Sequence, residues 1–410
     1  MNTENIWHLV TTFSRCYKYH WGYPISFNIS ERRLSHMKRN SWRSTLCTIV
    51  VRFCIFCTAF CSLGILGFVS LAKTKLLETK QIIICVFASV CYILGSVAYY
   101  ELSGKMETVA NVGNILIQEY CGLTRENWIQ SSIKVRLDHS SGPKLILHLF
   151  QVIPIAFVLA PFAMVPFYLH RNIGAPFVLY KIAGGPKFPD NFWLNLVTGF
   201  GKFIYLSFGI TETLRTFSCI TVFGMQRLIY FKSYLYQISE LLPYCAKKRT
   251  QIPVRCAQVI STYQKLHIIF QWDKYTLNWF AGVYFLADFF ILLIANFVTL
   301  KMYNLLPFYF YLVFPFFAGA ILVETPIGYF FLEIGDVAEI VVKQMNQLQG
   351  FVKVGKIRNF LRKKIKSIAV IRAPAGIGNS TLFFIRGAAM CDFYYNILDN
   401  TINLLLSVNL

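Results

Sequence analysis

The chain has 410 residues, of which 56% are hydrophobic, 17% are aromatic and only 14% are charged, and its formal net charge is +21. A soluble domain usually contains about a quarter charged residues, and apolar runs of about 20 residues are typical of membrane spans. A soluble α/β protein with buried strands would instead show apolar runs of about 4–8 residues. The composition therefore excludes an ordinary soluble α/β protein and predicts a polytopic membrane protein.

The N-terminal segment, residues 1–44, is predicted to be cytosolic. Residues 1–23 mix Glu4, Arg15 and Lys18 with scattered apolar residues and lack the continuous apolar region of a secretory signal. Insertion into the membrane is therefore expected to begin at the first long apolar run. Seven such runs predict an all-α polytopic fold with transmembrane helices at about residues 45–72, 81–102, 145–169, 192–225, 277–300, 305–332 and 381–410.

The distribution of Lys and Arg predicts how these helices are oriented. The N-terminal segment and the longer loops at 103–144, 226–276 and 333–372 together contain 29 Lys and Arg, whereas the opposite loops contain 7. Because an excess of Lys and Arg marks the cytosolic side, the N-terminus is predicted inside and the C-terminus outside. The excess of Lys and Arg in these loops also accounts for the positive net charge. Nucleic-acid binding is not indicated, because the sequence shows no basic soluble domain.

The first four predicted spans, within residues 45–225, contain candidates for a binding cavity in their outer halves. Pro154, Pro161 and Pro166 are expected to kink or loosen the third span and so open space between helices. Ordinary packing or lipid contact is the alternative for the aromatic candidates, and snorkelling is the alternative to an acidic ligand for the lysine. The candidate ligand-binding residues are Phe87, Tyr92, Phe157, Phe162, Lys202, Tyr205 and Phe208.

The inner segments at 226–276 and 333–380 are predicted to be helical rather than loose. The fourth span continues without a break past Met225, and residues 254–276 show apolar residues at helical spacing. We expect these segments to form a cytosolic anchor of packed helices beneath the fifth and sixth spans at 277–332. Simple linkers are the alternative, but the apolar faces favour packing.

The last helix is predicted to be broken. Pro374, Gly376 and Gly378 interrupt the helical pattern in the stretch RAPAGIGNS. The last element is therefore expected to consist of a cytosolic half before this stretch and a membrane half that restarts at about Thr381.

The membrane half carries a line of polar residues. At about 100° per residue, five side chains fall within about 80° of one another, and we call them the polar stripe: Asp392, Asn396, Asp399, Asn403 and Ser407. Two carboxylates should not face lipid, where a charge costs at least ~2.5 kcal/mol. Three interpretations fit this pattern. The stripe lines a water-filled pore, faces the interior of the bundle through hydrogen bonds, or binds a ligand.

Over nearly its full length the chain resembles the insect-type chemoreceptor superfamily of odorant and gustatory receptors. The shared features are seven spans, an inside N-terminus, short outer loops, a cytosolic helical region and a broken last helix near the C-terminus. Gustatory receptors end in Thr-Tyr, five apolar residues and Gln-Phe. Here Thr401 begins TINLLLSVN, and Ile402, Val408 and Asn409 replace the Tyr, Gln and Phe. The resemblance indicates a divergent member and does not assign it to the odorant or the gustatory branch.

The resemblance implies a ligand-gated, non-selective cation channel in the plasma membrane of a sensory neuron. An odorant or tastant would open it to monovalent and divalent cations, and its subunits would form a homotetramer or a heteromer with a co-receptor. The pore would be lined by residues 381–410, with Thr401, Leu405, Val408 and Asn409 at the pore and gate. This face lies nearly opposite the polar stripe on the wheel. We prefer the family register, which places Asp392 and Asp399 in the bundle or between subunits.

Other membrane protein classes fit the sequence less well. A G-protein-coupled receptor would need its N-terminus outside, against the 29-to-7 bias in Lys and Arg. A membrane enzyme would need paired catalytic or metal-binding residues, and we expect neither a cofactor nor a catalytic site, since no His-Glu-x-x-His motif occurs. A secondary transporter would suggest two similar halves with matching interruptions. The alternative function is a secondary transporter or an orphan multi-span membrane protein.

Overall fold

The structure, a computed structural model, describes residues 3–20, 23, 25–36, 42–72, 79–125, 143–170, 192–247, 252–304, 306, 308–349 and 355–407. Helices dominate this part of the chain: α1 (Thr3–Cys16), α2 (Trp42–Ala72), α3 (Thr79–Arg125), α4 (Pro143–His170), α5 (Phe192–Lys247), α6 (Ile252–Lys301), α7 (Phe308–Tyr311), α8 (Val313–Gln349), α9 (Gly355–Lys366) and α10 (Gly387–Ser407). Two antiparallel hairpins accompany them, β1 (Ile25–Asn28) with β2 (Arg33–His36) and β3 (Pro374–Ile377) with β4 (Ser380–Phe384). The predicted all-α class is therefore right for the dominant elements and omits the two hairpins.

Each predicted span overlaps at least one helix, and several helices extend far beyond the predicted ends. The 56 residues of α5 make about 84 Å at ~1.5 Å per residue, against a hydrocarbon core of about 30 Å. The predicted continuation of this helix past Met225 is confirmed. By length and composition, two helical stretches among the described residues are able to cross a membrane, Cys85–Leu123 and Cys256–Lys301. The seven-span topology and the inside N-terminus remain predictions.

A buried ionic contact joins α3, α5 and α6. Arg227 of α5 pairs with Asp273 of α6, and its guanidinium also donates to the carbonyl of Val109 on α3. The two charged side chains are only 2% and 1% exposed. Removing one partner of such a pair typically costs about 3–5 kcal/mol, because the other charge stays buried. The contact therefore holds three helices in register within the segment predicted to be cytosolic.

The N-terminal segment packs against these same inner helices. Trp7 of α1 donates from Nε1 to the hydroxyl of Tyr230 on α5 at 2.9 Å. Strand β2 contacts α3, where the Leu34 amide donates to Asn114 Oδ1 at 2.8 Å and Asn114 Nδ2 donates back to the Leu34 carbonyl at 2.9 Å. An amide side chain that satisfies both backbone groups of one strand residue fixes the position of the hairpin. The segment is thus part of the packed inner bundle.

The last element is interrupted as predicted, but the interruption has a different form. The predicted restart of the helix at about Thr381 is wrong, because β4 occupies this position and α10 begins only at Gly387. The stretch read as a helix break forms the β3–β4 hairpin. Proline is disfavoured in the interior of a helix and is tolerated at the first residue of a strand, which agrees with Pro374 opening β3.

The β3–β4 hairpin is docked on α6. Asn278 Nδ2 donates to the carbonyls of Gly378 and Ser380, each at 3.0 Å. A Cβ atom on Gly282 would lie 2.0 Å from the carbonyl oxygen of Gly376, so the backbones approach this closely only because glycine has no side chain. Gly378 has a φ of 60°, which glycine adopts without strain. These contacts fix where α10 starts relative to α6.

The connection from α9 to this hairpin also contacts α6. The Ile371 amide donates to the hydroxyl of Tyr263 at 3.2 Å, and that hydroxyl donates to the Ala369 carbonyl at 3.3 Å. The hydroxyl thus accepts one hydrogen bond and donates another. This α6 side chain therefore holds the connection through one backbone amide and one backbone carbonyl.

Candidate ligand cavity and last helix

A cavity of about 590 Å³ lies between α3, α4, α5, α6 and α8. Small-molecule sites usually measure about 300–1,000 Å³ and are lined mainly by apolar and aromatic side chains with a few polar groups. The walls of this cavity fit that description. Its aromatic lining residues are Phe87, Tyr92, Phe157, Phe217, Tyr284 and Phe316. The cavity is large enough for a compact organic molecule.

The wall formed by α4 shows why space exists here. Pro154, Pro161 and Pro166 all lie inside this helix, and each removes a backbone donor and crowds the preceding turn. Ala156 and Ala160, which lie between Pro154 and Pro161 in the sequence, line the cavity. Their small side chains leave room that larger side chains would fill. The proline-rich third span is therefore one wall of the cavity.

Three of the seven predicted ligand-binding residues line the cavity. Phe87 and Tyr92 of α3 are both 7% exposed, and Phe157 of α4 is half-buried. The Tyr92 ring is held close to α5, since a Cβ atom on Gly209 would lie 3.3 Å from its hydroxyl. Phe87 also contacts Phe314 of α8 in an edge-to-face arrangement, with ring centroids 5.9 Å apart.

The other four predicted residues do not line the cavity. Phe162 is 76% exposed, and the hydroxyl of Tyr205 accepts a hydrogen bond from Thr58 of α2. The cavity-lining residues of α5 begin at Ile210, one turn or more beyond Lys202 and Tyr205. Phe208 is nearer in sequence, but two residues correspond to about 200° around a helix, which directs its side chain elsewhere.

Among the described residues, one carboxylate lines the cavity, and it is not one of the predicted binding residues. Asp288 of α6 is 7% exposed and lines the cavity one helical turn from Tyr284. Thr213 and Thr221 of α5 add hydroxyl groups. A signal was available, because Asp288 is the only charged residue in the run AGVYFLADFFILLIANFVTL. An ionisable residue inside an apolar span marks a functional site by default.

The last helix, α10, has a narrow buried face and a broad exposed surface. Ile397 and Thr401 are buried, and the Thr401 hydroxyl donates to the Ile397 carbonyl at 2.7 Å. All five residues of the polar stripe are exposed, and Asn403 donates to Asp399 within the stripe at 3.2 Å. Of the two predicted locations for Asp392 and Asp399, within the bundle or between subunits, the single chain does not show the first, and the second remains a prediction. In the single chain, both carboxylates point away from the other helices.

Two of the four predicted gate residues, Thr401 and Leu405, lie on the packed side of α10. Thr401 is buried, and Leu405 is half-buried beside the apolar cluster that contains Val298 and Met302. The carbonyl of Leu405 also accepts a hydrogen bond from Nζ of Lys301 at the end of α6. The other two predicted gate residues, Val408 and Asn409, lie outside the described residues.

Helix α6 separates the cavity from α10 and contacts both. Tyr284, Asp288 and Ile291 line the cavity, whereas Phe285 and its neighbours on the other side of the helix meet α10. The rings of Phe285 and Phe393 stand edge to face with centroids 5.3 Å apart. A shift of α6 caused by a molecule in the cavity would therefore displace the α10 side chains that contact it.

The comparisons with known proteins agree with this architecture. No family model matches the chain, and no curated protein matches it. Solved structures do match it, among them the insect olfactory receptor OR5 from Machilis hrabei, with a TM-score of 0.61, and the same receptor in complex with eugenol, with a TM-score of 0.62. Each is 13% identical and is matched over 98% of this chain, covering 97% and 98% of the receptor respectively. The chain therefore has an insect chemoreceptor-type fold.

Proposed function

We propose that this chain is a chemosensory receptor, a non-selective cation channel that a small organic molecule opens. The observation that carries the proposal is the placement of α6 between an apolar cavity and the last helix. The matched receptor is an olfactory receptor that has been solved in complex with a small molecule, eugenol. The agreement over nearly the full length of both chains supports a ligand site of the same general kind in the plasma membrane of a sensory cell.

The proposed ligand site is the cavity between α3, α4, α5, α6 and α8. Its volume of about 590 Å³ suits a volatile or a tastant of modest size. Closing apolar and aromatic surface around such a molecule supplies binding free energy at roughly 25 cal/mol per Å² buried. A ligand that widens the cavity would displace α6, and Phe285 would pass that displacement to Phe393 on α10.

The proposed pore is formed where several copies of α10 meet. One helix cannot enclose a conduction path, so we infer a tetramer, either of this chain or with a co-receptor. The polar stripe belongs to the exposed surface of α10, which also includes the apolar Leu398, Ile402 and Leu406. Because carboxylates are disfavoured in lipid, we orient the stripe towards the axis or the neighbouring subunits. Rings of Asp392 and Asp399 would favour cations at such a position. This orientation differs from the register that places Leu405 at the gate.

The test is to express the chain alone and with a co-receptor in cells that lack such channels, and to record membrane current. A panel of volatiles, sugars and bitter compounds should include at least one that evokes a cation current. Phe157→Ala should shift the response, since Phe157 lines the cavity. Failure of the correctly surface-expressed chain to conduct under every stimulus and with every partner would contradict the proposal.

A further inference from the structure

We propose that the cavity is selective for small organic amines, with the Asp288 carboxylate binding the protonated ammonium group. This inference rests on the proposed function, in which the cavity is the ligand site. It adds the chemical class of the ligand and names the residue that selects it.

The position of Asp288 is the first support. Its side chain lines the cavity while being only 7% exposed. An ionised carboxylate held in such a place strongly favours a cation nearby, because the surroundings screen charge far less than water does. A ligand ammonium group entering the cavity comes within reach of this field.

The sign of the charge is the second support. Among the described residues that line the cavity, Asp288 is the one charged side chain, and the polar ones are hydroxyl-bearing, such as Thr213, Thr221 and Tyr284. When ionised, the Asp288 carboxylate makes the electrostatic potential near it negative. Anionic ligands such as carboxylic acids are disfavoured there, and cationic ligands are favoured.

The aromatic walls are the third support. Phe217, Tyr284 and Phe316 line the cavity together with Asp288. The negative faces of aromatic rings attract ammonium groups. Sites lined by several aromatic rings are a recurrent means of binding organic cations. A carboxylate in an aromatic cavity combines charge pairing for the ammonium group with apolar contact for the hydrocarbon part of the same ligand.

Three ligands of nearly equal shape test this proposal on the unmodified receptor: 2-phenylethylamine, 2-phenylethanol and propylbenzene. We expect the amine to activate at a concentration about tenfold or more below both neutral compounds, which corresponds to about 1.4 kcal/mol. An equal or better response to either neutral compound would overturn the inference. This comparison needs no variant.

Substitutions then assign the effect to the residue. Asp288→Asn should bring the three half-maximal concentrations within about threefold of one another, whereas Asp288→Glu should keep the preference for the amine. Thr221→Val serves as the control, because it changes polarity in the same cavity without changing charge. Retention of the full amine preference by Asp288→Asn would contradict the role of this carboxylate.

A binding measurement separates this inference from the proposed channel function. The purified receptor in detergent is heated with each of the three compounds, and its unfolding temperature is recorded. A rise with the amine alone that is lost in Asp288→Asn supports the amine site even where no current is found. A receptor that conducts in response to neutral ligands and shows no preference for the amine in either assay retains the channel function and refutes the inference.

Discussion

Phe285 of α6 and Phe393 of α10 meet edge to face, with ring centroids 5.3 Å apart. Phe285 directly follows Tyr284, which lines the cavity, and the two rings are 5.4 Å apart. A short chain of aromatic contacts thus leads from the cavity wall through α6 to the last helix. Packed aromatic groups transmit small displacements because a dense interior has few voids to absorb them.

Phe393→Ala is expected to weaken the coupling between cavity and pore. Aromatic pairs contribute about 0.5–1.5 kcal/mol beyond their buried area, so the half-maximal ligand concentration should rise about two- to tenfold. Ligand-induced thermal stabilisation of the purified receptor should stay unchanged. Phe200→Ala, at a position on α5 that is 65% exposed, is the control. Equal loss of thermal stabilisation and current would show that Phe393 affects binding instead.

Phe157→Ala and Phe162→Ala test the position of the ligand site with two phenylalanines of the same helix. Phe157 lines the cavity and Phe162 is 76% exposed. Loss of a buried aromatic contact should cost about 1.5–3 kcal/mol, which predicts a shift of about tenfold or more in the half-maximal concentration for Phe157→Ala. Phe162→Ala should leave the dose–response curve in place. The opposite ranking would move the ligand site away from the cavity.

Asp399→Asn and Leu405→Ser distinguish the two possible orientations of α10 in the pore. If the exposed polar stripe faces the axis, Asp399→Asn should lower conductance and weaken cation selectivity, because an acidic ring is removed. Leu405→Ser should then change basal current little. Reversal potentials in asymmetric salt and currents without ligand provide the two readouts. Unchanged selectivity together with a high basal current in Leu405→Ser would instead restore the register with an apolar gate at Leu405.

Asp273→Asn is expected to destabilise the inner helical bundle. The partner, Arg227, would stay buried without its counter-charge, at a cost of about 3–5 kcal/mol. Thermal unfolding in mild detergent measures the effect. The double variant Arg227→Met with Asp273→Leu should recover much of the loss, because it removes both buried charges. Lys265→Ala breaks the exposed pair with Glu119 and should cost less than about 1 kcal/mol.

The Lys and Arg asymmetry predicts which side of the membrane carries each terminus. With the N-terminus inside, a tag before Met1 should be stained only after permeabilisation. A tag after Leu410 should be stained on intact cells if the chain crosses the membrane seven times. Staining of the N-terminal tag on intact cells would reverse the orientation. Staining of both tags on one side would require an even number of crossings.

Local sequence patterns were enough to predict the long apolar helices, although not α1. Hydropathy and helical spacing depend only on neighbouring residues, so the helices at the predicted spans and the continuation of α5 past Met225 follow from them. The interruption near Pro374 and Gly376 was also predictable, because both residues act on the local backbone. Its form was not, because the hairpin depends on Asn278 and Gly282, about a hundred residues earlier in the chain.

Only some residues of the candidate ligand site could be predicted from the sequence, because a cavity is formed by several helices together. Helical periodicity predicts which face of α3 carries Phe87. It does not predict which side chains of α6 or α8 pack opposite that face. For this reason Tyr205, which does not line the cavity, was grouped with residues that do. Asp288 was overlooked although its charge within an apolar run was a local signal. The polar stripe on α10 was correctly identified as one face of a helix, because that depends only on the angle between residues. Only the packing of Ile397 and Thr401 within the chain decided that this face points outward, since burial is determined by neighbours that are distant in sequence.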